Sequence, residues 1–129
     1  MGGLIASYYA ETIAELDGIK VPEVITISSP WNGSPLARWL SKGQTQVKRY
    51  EQMGGDDGFL EGLKALALSP QSKAFYYCMA SESDAIVPFN RGLIGPVQVH
   101  YRWYGHYNII AMPCIWLQIR RFLAKVNRS

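Results

Sequence analysis

Met1-Gly2-Gly3-Leu4-Ile5-Ala6-Ser7-Tyr8-Tyr9-Ala10-Glu11 opens the chain, and the reading of this stretch decides the fold. Leu4, Ile5, Tyr8, Tyr9, Ile13 and Leu16 recur at i, i+3 and i+4, the spacing that lays apolar side chains along one helix face. That spacing predicts a helix from about Gly2 to Leu16, stopped by the turn pair Asp17-Gly18. Glycine inside a helix costs about 1 kcal/mol against alanine, so two at its start call for a reason. Space is one: where there is no Cβ, another stretch of backbone can pass very close.

Outward from this helix, Val24-Ile25-Thr26-Ile27-Ser28 is short, β-branched and nearly continuous in apolarity, the pattern of a strand covered on both faces. Ala74 to Ala80 is a second strand, aromatic and apolar, and Val97 to Tyr104 alternates as a third with one wetter face. Helix, short loop and strand in succession predict an α/β fold, a mostly parallel sheet flanked by helices. Between the first two strands, Ser28-Ser29-Pro30-Trp31-Asn32-Gly33 breaks regular structure. Ser34 then caps a helix with Pro35 at its first position. From 41 to 72 the pattern weakens to loops around a short apolar helix near Phe59 to Leu68. Asp56-Asp57, flanked by glycines, offers too few side-chain oxygens for a calcium loop. A last helix is expected from about Pro113 to Val126, burying Ile115, Ile119, Phe122, Leu123 and Val126 with Trp116 beside them. Arg120, Arg121, Lys125 and Arg128 gather near its end, where positive charge complements the helix dipole.

At 129 residues the chain is one domain or part of one, and an apolar fraction of 48% with 18% charged residues supports a packed core. A net charge of +3, without aromatic residues interleaved among the cations, argues against a nucleic-acid face. Cys78 and Cys114 lie in apolar segments and read as buried free thiols, not as a disulfide or a metal pair. No run reaches the roughly 18 apolar residues of a membrane span, and Pro113 interrupts the longest one. No signal peptide is visible, and the compartment is left open.

Taken together, the opening residues and three later segments resemble the α/β-hydrolase family, lipases and esterases in particular. Met1-Gly2-Gly3-Leu4 is similar to the second half of the lipase motif Gly-His-Ser-Met-Gly-Gly-Leu, the sharp strand-to-helix turn that carries the nucleophile. Ser29-Pro30-Trp31-Asn32-Gly33-Ser34-Pro35-Leu36-Ala37 resembles the family's Thr-Pro-His-His-Gly-Ser-Pro-Leu-Ala, with Trp31 and Asn32 where histidines often stand. Ser81-Glu82-Ser83-Asp84-Ala85-Ile86-Val87-Pro88 resembles the acid loop, Gly-x-x-Asp-x-x-Val-Pro, and Gly105-His106 the loop of the general base.

The resemblance implies the C-terminal half of an α/β-hydrolase domain over residues 1–129, with a cap or lid inserted at about 41–72. It implies Asp84 as the acid that orients His106, His106 as general base, and Met1 as an oxyanion-hole donor directly after a serine that these residues do not include. Ser7, Ser28, Ser29, Ser34, Ser81 and Ser83 all lie outside any Gly-x-Ser-x-Gly setting. Glu82 is the nearest rival to Asp84 but misses the acidic position of the pattern. His100 falls inside an alternating strand and reads as a surface residue, and Gly105 is expected to let the backbone bend before His106. The implied parent reaction is hydrolysis of an acyl ester or lipid, without cofactor or metal. A separately encoded N-terminal half is one implied partner. The other reading is a non-catalytic remnant or interaction module.

Overall fold

The computed structural model describes residues 1–43, 52–54 and 58–126. Among them, β1 (Glu23–Ile27), β2 (Phe75–Ser81) and β3 (Val97–Tyr101) form one parallel sheet in the order β1-β2-β3. The helices are α1 (Gly2–Tyr8), α2 (Pro35–Gly43), α3 (Phe59–Ala67), α4 (Asn108–Ala111) and α5 (Pro113–Val126). The α/β class expected from the sequence is what the chain adopts.

Alternation along β2 explains the layers. Tyr76 and Cys78 point to one side, where Leu4 of α1, Leu60, Leu63 and Ala67 of α3, Val24 and Trp31 close a core. Tyr77 and Met79 point to the other, against Ile109, Ile115 and Phe122, with the Tyr77 and Phe122 rings stacked at 4.2 Å. From Tyr76 onward β2 is buried throughout, as the middle strand of a covered parallel sheet must be. The outer strands are less so. In β1 burial alternates, Val24 and Thr26 being buried while Ile25 and Ile27 are only partly covered, which corrects the expectation of two covered faces. In β3, Gln98 and His100 are exposed, giving the wetter face the alternation predicted.

The first helix departs most from its expected form. After Tyr8 it widens into a π turn, Tyr9–Ile13, in which the Ala14 amide donates to the Tyr9 carbonyl. The inserted residue rotates everything beyond it relative to a regular helix. Leu4, Ser7, Ala10, Glu11 and Ala14 are the buried residues, while Ile5 is 60% exposed and Leu16 84%. Sheet contact therefore falls to small side chains, and most of the apolar stripe expected to be covered faces outward. The reason lies at the helix start. A Cβ on Gly3 would sit 2.0 Å from Ser29 Oγ and 3.1 Å from Thr26 Cγ2, so glycine brings α1 directly onto the end of β1. Gly2 has open space around it and has no such role.

Glu11, buried within the π turn, accepts from the Ser72 hydroxyl at 2.8 Å, the Lys73 amide at 3.1 Å and the Tyr76 hydroxyl at 2.8 Å. It fastens the amino end of β2 to the helix. Of the 41–72 segment, residues 44–51 and 55–57, including Asp56 and Asp57, lie outside the described residues. Among its described parts, α3 turns Leu60, Leu63 and Ala67 into the core. On α5 the boundaries match the expectation, but Leu123 and Trp116 are half exposed, while Ile115 and Phe122 carry the burial. Cys78 is buried and Cys114 only partly; both are free thiols.

Candidate active site

Parallel pairing puts Ser81 of β2 opposite Tyr101 of β3, so the chain leaves both strands side by side at their carboxyl ends. Ligand-handling groups collect at such ends in open α/β sheets. Three hydrogen bonds carry the pairing on into the loops. The Glu82 amide donates to the Tyr101 carbonyl at 2.8 Å, and the Ser83 hydroxyl to the Arg102 carbonyl at 2.6 Å. The Tyr104 amide donates to Ser81 Oγ at 3.1 Å, and that serine is fully buried.

Asp84 lies inside the first of these loops, its side chain completely buried. Its Oδ1 accepts from the amides of Ile86 at 2.9 Å and Val87 at 2.8 Å, while Oδ2 stands 2.8 Å from His106 Nδ1. The carboxylate thus caps its own turn with one oxygen and holds the imidazole with the other. Ser34, which caps α2 through the Ala37 amide, also donates to the Ile86 carbonyl at 2.8 Å and ties the acid loop to the loop after β1.

His106 keeps 26% of its side chain exposed. When Nδ1–H donates to Asp84, Nε2 is the ring's acceptor, and among the described residues it has no hydrogen-bond partner. Tyr107 meets the ring edge-on at 5.3 Å. Such an imidazole can take a proton at Nε2 from a neighbouring hydroxyl and return it, with the buried carboxylate stabilising the imidazolium between the two steps.

No protein-family model and no curated protein matches the chain. Its chemistry is read from its own geometry.

The other residues singled out in the sequence fall elsewhere. His100 stands on the exposed side of β3, stacked on Phe89 at 5.9 Å, and makes no bond to Asp84. Glu82 is exposed and pairs loosely with Arg102 at 3.9 Å. Met1 heads α1, its carbonyl accepting from the Leu4 and Ile5 amides, and no hydrogen bond joins it to Asp84 or His106. Gly105 lacks a positive φ and has open space where a Cβ would go, so the turn into His106 does not depend on glycine. Its carbonyl instead accepts from the Ile109 amide as α4 begins. Trp31 is a core residue, fully buried, with its indole N–H on Thr26 at 3.3 Å. Asn32 links its loop to Lys64 and to the Phe89–Arg91 turn.

Two features escaped the sequence. Ser81 looked like any strand-end serine, and only the register shows that it joins the acid and base loops. Ser28, the first residue past β1, holds φ at +48°, a left-handed conformation costing roughly 1–2 kcal/mol outside glycine. Its hydroxyl is buried without a hydrogen-bond partner, and nothing in the residue's identity signals either fact.

Among the described residues no three His, Cys, Asp or Glu side chains gather around a metal position. No described helix is long and apolar enough to cross a membrane. A hollow lined by Lys20, Ser72, Lys73, Tyr76 and Gly95 opens at the amino ends of the strands, opposite the Asp84–His106 pair.

Proposed function

We propose that residues 1–129 supply the acid and the base of a serine ester hydrolase of the α/β-hydrolase type, acting on an acyl ester or lipid. One observation carries this reading: a buried carboxylate 2.8 Å from a histidine at the carboxyl ends of adjacent parallel strands, with the far ring nitrogen free. The order acid then base along the chain and the Gly3 approach to β1 support it further. In this reading His106 is general base and then general acid, and Asp84 orients it. The nucleophilic serine comes from outside these residues, and Met1 takes the position next to it, where the family's oxyanion-hole donor lies. Among the described residues no serine hydroxyl bonds to His106, which fits a nucleophile supplied from elsewhere.

A fluorophosphonate probe tests the assignment, because it labels only an activated serine. Residues 1–129 alone should stay unlabelled. Combined with a polypeptide that provides a strand ending in Gly-x-Ser, they should label, and His106→Ala should abolish the signal. Labelling of residues 1–129 alone at any serine would refute the reading. A second reading, a non-catalytic interaction module, is favoured by the outward-facing Ile5 and Leu16 on the first helical segment. It requires that no such combination label.

A further inference from the structure

The acidic residues stop at Asp84. Residues 85–129 contain six lysines and arginines and no aspartate or glutamate, while residues 1–84 hold all ten acids. Such one-sidedness points to an anionic partner for the later part of the chain.

The structure shows what accompanies the charge. Ile115 and Phe122 turn α5 inward, leaving Trp116, Leu117, Arg120 and Leu123 on its outer side. Trp116 is 53% exposed and Leu117 54%. The Trp116 indole donates to the Ile110 carbonyl at 2.9 Å, which joins this surface to the exposed Ile110 of α4. Arg120 and Arg121 are exposed, and among the described residues neither pairs with a carboxylate. The outer side of α4 and α5 therefore carries four exposed apolar side chains, Ile110, Trp116, Leu117 and Leu123, with unneutralised cations beside them.

Soluble proteins seldom leave such a surface bare unless it has a use. We propose that the outer face of α4 and α5 docks on an anionic lipid surface, with Trp116, Leu117 and Leu123 entering the headgroup boundary and Arg120 and Arg121 meeting lipid phosphates. Cations alone would suit a nucleic-acid backbone equally well. The exposed leucines and isoleucine decide against it, because they gain nothing from phosphates in water and bury apolar area at a bilayer interface. Tryptophan with its ring in the interface and its N–H satisfied is the usual anchor there. Docking would hold Tyr107, and through it His106, next to the lipid; that consequence alone rests on the ester-hydrolase reading.

Vesicle flotation tests the proposal with the full chain, since aggregates sink while bound protein rises with the vesicles. The protein should float with vesicles of phosphatidylcholine and phosphatidylserine, and far less with phosphatidylcholine alone. Arg120→Glu with Arg121→Glu should weaken binding by roughly 25-fold or more, each basic residue near an anionic surface being worth about fivefold. Leu117→Ser with Leu123→Ser should weaken it by a similar factor, both positions being exposed enough to leave the fold intact by circular dichroism. Failure to float with the anionic vesicles would overturn the proposal. So would binding indifferent to the leucine pair, or displacement from the vesicles by a random-sequence RNA that binds the leucine variant undiminished. Flotation requires no turnover, so its failure would leave the Asp84–His106 reading standing.

Discussion

Replacing Asp84 by asparagine and by alanine should separate the two duties of its carboxylate. Alanine removes the acceptor of the Ile86 and Val87 amides at 2.9 and 2.8 Å, in a turn where Val87 is buried. Hydrogen bonds to a charged acceptor are worth roughly 1.5–3 kcal/mol each, so Asp84→Ala should lower stability by about 3–6 kcal/mol. Asparagine keeps an oxygen at the Oδ1 position for both amides and should cost only about 1 kcal/mol. Its amide nitrogen would face His106 Nδ1 and drive the ring proton to Nε2, the wrong tautomer for a base. Urea unfolding followed by circular dichroism gives the first comparison, and amide exchange at Ile86 and Val87 localises it. Fluorophosphonate labelling of residues 1–129 combined with the serine-bearing polypeptide gives the second, and both variants should lose it. Equal destabilisation by the two substitutions, or an alanine variant within about 1 kcal/mol of the parent, would refute the division of labour.

Three other substitutions probe the scaffold. Ser28→Gly should raise stability by about 1–2 kcal/mol in urea unfolding, because it relieves a left-handed backbone and removes a buried hydroxyl without a partner. Gly33 has φ +80° and a Cβ there would meet the Gly54 carbonyl oxygen at 2.7 Å, so Gly33→Ala should cost at least about 2 kcal/mol by the same measurement. Burial first, and then Glu11, push the Tyr76 hydroxyl above its ordinary value of 10.0, so the folded chain keeps a proton that the unfolded chain loses. The stabilisation is therefore present below pH 10.0 and is lost as pH rises above it, and Tyr76→Phe should flatten that decline in melts taken across the alkaline range.

Much of the fold was legible because its signals are local. The three strands stand out by β-branched and aromatic composition, Ser34-Pro35 marks its helix by capping chemistry, and α5 follows from its apolar spacing. Asp84 and His106 stand out through the resemblance of their loops to the α/β-hydrolase pattern, while their meeting depends on a register that no local pattern states. The first helix misled for a physical reason. Period counting assumes 3.6 residues per turn, and the π turn at Tyr9–Ile13 breaks that period just where Glu11 must reach Ser72, Lys73 and Tyr76. Apolar spacing points large residues inward, yet the buried residues of this segment are Leu4, Ser7, Ala10, Glu11 and Ala14. Gly105 misled in the opposite way, being a glycine that the backbone does not need as one.

The hydrogen bonds that continue the β2–β3 ladder past its end have a kinetic meaning. Glu82 to Tyr101, Ser83 to Arg102 and Tyr104 to Ser81 link the acid loop and the base loop to each other. Loops at a sheet end ordinarily fray one at a time, each with its own opening free energy. Here neither can open without breaking bonds to the other, so their amides should exchange as a single cooperative unit. Asp84 and His106 would then be lost and regained together, with no populated state in which the histidine is present and its carboxylate has swung away.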